Sequence, residues 1–299
     1  MKILLLGKNG QVGWELQRSL APLGEIVALD RTGAPGLCGD LADAAGIAKT
    51  VATVAPDVIV NAAAYTAVDK AESEPDAAYA INAAGPGALA VAAAARGTLL
   101  VHYSTDYVFD GSGSRPWTED DATNPLSIYG RTKLEGEQRI RESGCAHLIF
   151  RTSWVYAARG GNFAKTMLRL ARERESLSVI DDQVGAPTGA ELIADVTAHA
   201  IARTRAAASL SGTYNLVAAG ETSWFAYARY VLETAAAHGL QLKAGPDAVS
   251  AIPSSAYKVA AQRPLNSRLD TTSLRRTFGL FLPVWQSGVA RMLNEILER

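Results

Sequence analysis

Two side chains able to transfer a proton stand four positions apart in IYGRTKLEGE, residues 128–137. At this spacing Tyr129 and Lys133 share one face of a helix. A free phenol has a pKa of about 10, and a cation within about 4–6 Å lowers it by roughly 1–3 units. We therefore predict that Tyr129 protonates a carbonyl oxygen as hydride reaches the carbon, with Lys133 lowering the pKa of the phenol and holding the nicotinamide ribose. Thr105, in HYSTDYVFD (102–110), is predicted to hydrogen-bond the same oxygen.

A Tyr-x-x-x-Lys pair is weak evidence when it stands alone, because an exposed i,i+4 pair contributes little to a structure. Its placement makes it more specific. The pair follows a strand of a sheet whose first turn is predicted to bind a dinucleotide. Ligands of such sheets bind beyond the carboxyl ends of the strands, where HYSTDYVFD also leaves its strand.

The predicted dinucleotide turn is GKNGQVG, residues 7–13, between the apolar run KILLL and an amphipathic helix. Glycine lets the backbone turn tightly and approach a pyrophosphate, whose charge lies at the helix N-terminus. We expect five residues of this turn to bind the cofactor: Gly7, Gly10, Gln11, Val12 and Gly13. The other interpretation is a strand–helix turn that binds nothing.

Acidic and basic residues follow the second predicted strand, EIVALD. Asp30 is placed to accept hydrogen bonds from both ribose hydroxyls of an adenosine. Arg31 beside it could bind a 2′-phosphate, so the sequence leaves both NADH and NADPH open. Asp40 and Leu41 are placed to meet the adenine. The stretch after the strand DVIVN, namely Ala62, Ala63 and Ala64, is expected to let the backbone approach the cofactor.

Apolar runs alternate with helical patterns as far as about residue 151, which predicts an α/β protein. We expect a Rossmann-type doubly wound parallel sheet with a smaller C-terminal α/β substrate-binding lobe. The NAD(P)-binding domain is predicted over 1–155, with later segments such as 186–220 returning to it, and the lobe mainly over 156–299. Helices are expected over 75–96, 126–143, 162–174, 191–203, 223–237 and 285–297, and the helical spacing of Trp224 and Tyr227 favours core positions.

Composition excludes several classes of protein. The chain has 299 residues and a net charge of −1, which gives no electrostatic case for nucleic acid or an anionic membrane. The two cysteines, Cys38 and Cys145, indicate a reducing compartment. The apolar run near the N-terminus is too short for a signal peptide, and we expect no stretch to approach the roughly 18–20 apolar residues of a membrane span. The sequence therefore predicts a cytoplasmic protein.

Six motifs in order resemble the extended, sugar-nucleotide branch of the short-chain dehydrogenase/reductase superfamily, and most closely its dTDP-4-dehydrorhamnose reductase family. They are GKNGQVG, NAAAYTAVDKAE, STDYVFDG, YGRTKLEGE, RTSWVY and DDQVGAPT. The resemblance implies NAD(P)H-dependent reduction of the C4 ketone of dTDP-4-dehydro-6-deoxy-L-mannose to dTDP-L-rhamnose. That is the last step in making a rhamnose donor for bacterial cell-surface polysaccharide such as the O-antigen of lipopolysaccharide.

The resemblance also implies roles for individual residues. It assigns proton donation to Tyr129, the partner role to Lys133 and the modulating hydroxyl to Thr105. Asp106 and Trp154 fall where the family meets the sugar. Ala157 and Ala158 depart from the family pattern, in which glycine is expected, and this puts the shape of the nucleotide end in question.

The resemblance further implies a homodimer and a Mg²⁺ site, because some members of the family bind Mg²⁺ between subunits through glutamates. The candidates here are Glu15, Glu191 and Glu295. Carboxylates suit a hard cation, but no spacing in the sequence requires a site. Solvated glutamates on helices are an equally open interpretation.

Two other functions use the same fold. A sugar-nucleotide epimerase or dehydratase would hold its NAD tightly and recycle it. A dehydratase is also expected to carry an acidic pair after the threonine, whereas here Asp106 is followed by Tyr107. A non-catalytic NADP-binding regulatory subunit is the third hypothesis, since a fold never guarantees a function.

Overall fold

A computed structural model of the chain describes residues 1–298. Its strands, numbered in chain order, are β1 Lys2–Leu6, β2 Glu25–Leu29, β3 Val58–Asn61, β4 Leu99–Thr105, β5 His147–Thr152, β6 Val155–Tyr156, β7 Leu177–Ile180, β8 Val184–Gly185, β9 Thr188–Gly189, β10 Gly212–Asn215, β11 Thr222–Ser223 and β12 Val249–Ile252. Its α-helices are α1 Gln11–Leu20, α2 Ala44–Val54, α3 Val68–Ala71, α4 Pro75–Tyr79, α5 Gly85–Arg96, α6 Ile128–Glu142, α7 Phe163–Glu173, α8 Ala190–Ala206, α9 Trp224–Ala237, α10 Thr272–Phe278 and α11 Trp285–Leu297.

The central sheet has six parallel strands in the order β2-β1-β3-β4-β5-β10. Every residue of β3 and β4 is buried. Parallel strands covered by helices on both faces read as continuous apolar runs, and for this reason the sequence revealed them. The predicted Rossmann-type parallel sheet is therefore confirmed. The strand order reverses between β1 and β3, where such sheets bind their ligands.

A late part of the chain packs against the first strands. β10 pairs with β5 in a parallel register that aligns Asn215 with Arg151. Ile193 and Ile201 of α8 share one hydrophobic cluster with Ile3 of β1. The segment 190–215 thus adds both a helix and an edge strand to the sheet, while the division of the chain at residue 155 stays a prediction.

A second hydrophobic cluster lies among α7, α9 and α11. Tyr227 and Val231 of α9 pack with Leu168 of α7 and with Trp285 and Met292 of α11. The short parallel pair of β12 and β7 lies beside this cluster. The helices predicted over 162–174, 191–203, 223–237 and 285–297 are confirmed as α7, α8, α9 and α11.

The expected single helix over 75–96 is divided in the structure. A π-helical turn over Ala80–Ala84 separates α4 from α5. By length and composition alone, Pro75–Arg96 could cross a membrane, so the expectation that no stretch approaches a span is wrong. Leu89, Ala90 and Ala93 are fully buried in the cluster on one face of the sheet, which makes α5 a core helix.

A buried ion pair fixes α6 on the sheet. Arg151 of β5 donates from Nε and Nη2 to the two carboxylate oxygens of Glu137, at 3.0 and 2.7 Å. Burial raises the pKa of Glu137, but the hydrogen bonds and charge of Arg151 outweigh that effect and leave the pKa lowered. α6 also carries Tyr129 and Lys133. The Glu137–Arg151 pair therefore fixes the position of both side chains relative to the strands.

We predict that Glu137→Gln lowers the free energy of unfolding by about 3–5 kcal/mol, because it leaves the buried charge of Arg151 without its partner. Urea denaturation measures this loss. The matched control is Glu135→Gln on the same helix, which breaks an exposed i,i+4 pair with Arg139 and should cost no more than about 0.5 kcal/mol. Equal losses in the two variants would contradict the role given to the buried pair.

Candidate active site

A cleft of about 890 Å³ opens at the carboxyl ends of the central strands. Nearly all of the sequence-predicted cofactor, catalytic and substrate residues line it: Gly7, Gly10, Gln11, Val12, Asp30, Arg31, Asp40, Leu41, Ala62, Ala63, Ala64, Thr105, Asp106, Tyr129, Lys133 and Trp154. Gly13 is the one predicted member that is not among the lining residues. The structure thus brings the two halves of the predicted site into one continuous space.

The glycine turn leaves room for a ligand because it lacks side chains. Gly7 has φ +85°, and a Cβ there would lie 2.7 Å from the backbone nitrogen of Ala63. A Cβ on Gly13 would lie 2.0 Å from the carbonyl oxygen of Gly7, so Gly13 packs the helix against the turn. Gly10 caps α1 without a side-chain hydrogen bond, which leaves N–H groups of the first turn, beginning at Gln11, for an anion. These features fit a dinucleotide pyrophosphate.

Asp30 already has hydrogen-bond partners on both carboxylate oxygens. The backbone and hydroxyl of Thr32 donate to Oδ1 at 3.0 and 2.6 Å, and Asn9 donates to Oδ2 at 2.9 Å. The hydrogen bond from the Thr32 side chain is the largest cause of a lowered pKa at Asp30. Lys8 lies 3.6 Å from Oδ2. Ribose hydroxyls would therefore meet an ionised carboxylate that is held in a fixed direction.

The rest of the predicted adenosine end lies beside Asp30. The guanidinium of Arg31 is 82% exposed and lies 3.9 Å from the carboxylate of Asp40. Leu41 is buried and presents an apolar surface. An exposed cation next to a carboxylate keeps both cofactor types open, as the sequence does.

Tyr129 lies in the first turn of α6, which Ser127 begins by accepting a hydrogen bond from the backbone of Gly130. The phenol shares the cleft with Thr105, at the end of β4, whose hydroxyl acts on the pKa of Tyr129. Burial raises the pKa of Tyr129 to about 12, with the Thr105 hydrogen bond opposing this and the charge of Asp106 adding to it. The predicted lowering of the phenol pKa is therefore wrong for the protein alone.

Lys133 has different partners from those the sequence predicted. Its Nζ donates to the backbone carbonyl of Tyr103 at 2.5 Å and lies 3.2 Å from Nε2 of His102. Within residues 1–298, these contacts with β4 hold the amine, rather than the phenol of Tyr129. Burial lowers the pKa of Lys133 to about 8, with the charge of Glu137 opposing. Burial, rather than attraction between the two side chains, thus has the largest effect on the pKa of both Tyr129 and Lys133.

Asp106 lines the cleft next to the hydroxyl of Thr105. Thr105 donates from its hydroxyl to Oδ1 of Asp106 at 3.0 Å, and it also accepts from the backbone of Tyr107. Burial raises the pKa of Asp106 to about 6, with hydrogen bonds from Ser267 and Thr105 opposing. This carboxyl can change its protonation near neutral pH while it faces a ligand.

Two stacked indole rings form one wall of the cleft. Trp154 adopts the left-handed backbone conformation, φ +49°, which is uncommon for a bulky residue. Its ring stacks on Trp224 with 3.6 Å between centroids and 15° between planes. Trp224 packs against the hydrophobic cluster of Tyr227, as its spacing predicted, and it also lines the cleft. Flat apolar walls of this kind suit a sugar ring.

Several lining residues escaped the sequence reasoning. One signal could have found most of them: they lie at the carboxyl end of a central strand or in the segment that follows it, where ligands of such sheets bind. The additional lining residues are Asn9, Gly39, Tyr65, Thr66, Ala67, Val68, Ile81, Tyr103, Ser104, Tyr107, Thr152, Ser153, Val155 and Trp224.

The three glutamates predicted to bind Mg²⁺ lie in one another's electrostatic field. Burial raises the pKa of Glu191, Arg291 opposes this, and Glu15 and Glu295 add to it. Arg291 lies 3.2 Å from Glu191, and Arg18 lies 3.5 Å from Glu15. Within the described part of the chain, no group of three or more His, Cys, Asp or Glu side chains is placed to hold a metal ion. The expected magnesium site is therefore not formed within one copy, and a shared site stays a prediction.

Three features together define a Rossmann-type reductase of the short-chain dehydrogenase class. They are the parallel sheet, the glycine turn without a side-chain cap, and the Thr–Tyr–Lys group in the same cleft. The family model for the RmlD substrate binding domain matches residues 1–298. The dTDP-4-dehydrorhamnose reductase of Escherichia coli K12 is 56% identical over 296 residues, covering 99% of this chain and 98% of that protein. The chain belongs to the dTDP-4-dehydrorhamnose reductase family.

Solved structures of the same family are similar over the full length. A dTDP-4-dehydrorhamnose reductase from Clostridium acetobutylicum has a TM-score of 0.88 and 34% identity and covers all of both chains. The enzyme from Bacillus anthracis, solved in complex with NADP, has a TM-score of 0.86 and 36% identity, with 98% of this chain and 99% of that chain covered.

We predict that Asp106→Asn stabilises the unliganded protein at pH 8 by about 2–3 kcal/mol and leaves its stability at pH 4 nearly unchanged. The folded protein raises the pKa of this carboxyl from 3.8 to about 6, so wild-type stability falls as pH rises through that window. Asparagine stays neutral and escapes this loss. Urea denaturation at the two pH values measures the difference, and an equal effect of the substitution at both would contradict the raised pKa.

Proposed function

We propose that the chain reduces the C4 ketone of dTDP-4-dehydrorhamnose to dTDP-L-rhamnose with hydride from NADPH or NADH, the last step of dTDP-L-rhamnose synthesis. The family assignment and one observation support this: a single cleft runs from the glycine turn to the paired hydroxyls of Tyr129 and Thr105. A nicotinamide and a ketone can then meet beside a proton donor. The substrate is a nucleotide sugar, and no nucleic acid or membrane takes part.

The residues that would hold the cofactor have distinct tasks. The N–H groups at Gln11 and Val12 would bind the pyrophosphate, and Asp30 or Arg31 would bind the adenosine ribose or its 2′-phosphate. Ala63 and its neighbours have small side chains, so the cofactor can lie close to their backbone. When bound, the dinucleotide supplies the hydride.

Tyr129 supplies the proton. Reduction requires a protonated phenol at the start, and the raised pKa of Tyr129 keeps the proton in place at neutral pH. Thr105 holds the phenol oxygen and can share the ketone oxygen in the same contact. Asp106 and Trp154 would bind the sugar on either side of that oxygen, because both line the cleft beside it.

Lys133 acts from below the cofactor site. Its amine is held by the carbonyl of Tyr103, which directs the remaining N–H groups toward the cleft that it lines. There it can donate to the nicotinamide ribose. With a pKa of about 8 it is mostly protonated at neutral pH, so it also favours negative charge on Tyr129 after the proton has left.

The direct test is to mix the protein with NADPH and the 4-keto sugar nucleotide and to follow absorbance at 340 nm. We expect the absorbance to fall in proportion to the substrate added. Unchanged absorbance with authentic substrate would remove the proposal. Purified protein that carries stoichiometric, non-exchanging NAD would instead favour an epimerase or dehydratase.

The two thiols bear on where the reaction takes place. Cys38 and Cys145 are both free. We place the activity in the cytoplasm, because that compartment keeps thiols reduced and supplies nucleotide sugars.

We predict that Tyr129→Phe lowers kcat by about 10²–10⁴-fold and leaves NADPH binding unchanged, because the variant loses only the donated proton. Single-turnover rates and fluorescence titration with NADPH measure the two quantities. Tyr214→Phe is the control, since that buried phenol donates to the carbonyl of Leu210 far from the cleft. Its kcat should stay within about twofold of the wild type. A Tyr129→Phe variant with the kcat of the control would exclude Tyr129 as the donor.

We predict that Arg31→Ala raises KM for NADPH about tenfold and changes KM for NADH little, because only NADPH presents a phosphate to this exposed guanidinium. Initial rates with each cofactor measure the ratio. Arg18→Ala, which removes an exposed arginine bound to Asp195, is the matched control. An equal rise for both cofactors would show that Arg31 does not contact a 2′-phosphate.

A further inference from the structure

Three polar side chains form a continuous buried line beneath the cleft. Nδ2 of Asn61, at the end of β3, lies 3.1 Å from Nδ1 of His102. Nε2 of His102 lies 3.2 Å from Nζ of Lys133. Each of the three is no more than 2% exposed. The reaction described above uses Lys133 but gives no task to the other two.

The direction of each hydrogen bond follows from the contacts of Asn61. Its Oδ1 accepts from the backbone N–H of Ala63 at 3.2 Å, so the amide NH₂ group must face the imidazole. An NH₂ group only donates, which makes Nδ1 of His102 the acceptor. Burial and the charge of Lys133 keep the pKa of His102 well below its ordinary value, so the ring is neutral. A neutral ring with a bare Nδ1 carries its proton on Nε2.

That proton points at Lys133. An ammonium group has three donors and no acceptor, so it cannot accept from Nε2–H. An uncharged amine can accept that hydrogen bond and still donate to the carbonyl of Tyr103. Each contact in the line from Asn61 to Lys133 therefore pairs a donor with an acceptor only when the amine is neutral.

We propose that His102, oriented by Asn61, is a positioning residue that fixes the direction of the Lys133 amine and favours its uncharged form. The role of that amine in reduction rests on the proposed function, whereas the hydrogen-bond polarity does not.

Other groups that face Lys133 do not supply this bias. Glu137, one turn further along α6, favours the ammonium form, but its carboxylate is already bound by Arg151 and Arg141. Tyr129 and Asp106 share the cleft with the amine. Among the described residues, only the β4 imidazole both contacts Nζ and presents a donor to it.

NMR of the full-length protein without ligands tests the proposal without any assay of activity. Selective ¹⁵N-histidine labelling reports which ring nitrogen is protonated, and the chain has only four histidines, so His102→Gln assigns the signal. ¹³C-lysine labelling follows the titration of Lys133. We expect the Nε2–H form of His102 throughout pH 6–9 in the wild type.

Asn61→Asp is the decisive variant. A carboxylate accepts, so His102 should move its proton to Nδ1 and offer a bare Nε2 to the lysine. We expect the pKa of Lys133 to rise by about one unit or more, and the pH profile of kcat to shift with it. Asn82→Asp is the matched control, because Asn82 is also buried and bonds Thr132, next to Lys133 on α6.

Three results would overturn the proposal: an Nδ1–H form of His102 in the wild type, an unchanged Lys133 titration in Asn61→Asp, or an equal shift in Asn82→Asp. The last would show a plain effect of added charge. A clear tautomer switch without turnover of the nucleotide sugar would sustain this inference and count against the proposed function alone.

Discussion

The interaction between the hydroxyls of Tyr129 and Thr105 is the one on which the site depends, because it joins two separate elements in one cleft. Thr105 ends a fully buried strand, and Tyr129 stands at the start of a helix that lies across the sheet. The two hydroxyls stay together only if the helix is held at a fixed position on the sheet. The bidentate pair of Glu137 with Arg151 holds the helix in that position.

Burial then sets the chemistry of the groups that the fold has brought together. It raises the pKa of Tyr129 and of Asp106, and it lowers that of Lys133. All three effects favour the neutral forms of the side chains. The unliganded cleft thus holds the phenol in the protonated form that reduction of a ketone requires.

The sequence predicted those parts of the fold that depend on local pattern. Buried parallel strands form apolar runs in the sequence, and Gly7 and Gly13 mark a turn in which their Cβ atoms would collide with backbone. The partners of Lys133 escaped prediction because they depend on how deeply α6 sits on β4. The place of Trp224 in the cleft wall escaped prediction because helical spacing shows which residues share a face but not what that face contacts. Two of the glutamates expected at a metal site, Glu15 and Glu191, are paired with arginines, and Arg291 is distant in sequence from its partner Glu191.

The central claim is that the exchangeable proton delivered to the sugar comes from Tyr129. Single-turnover reduction measured in H₂O and in D₂O, for the wild type and for Tyr129→Phe, tests it most directly. The account predicts that D₂O slows the wild-type reaction and that the slowing differs in size in the variant, whose ketone oxygen must take its proton from water. An unchanged rate with the same slowing in both proteins would contradict it, because the proton would then come from a donor that the substitution leaves in place.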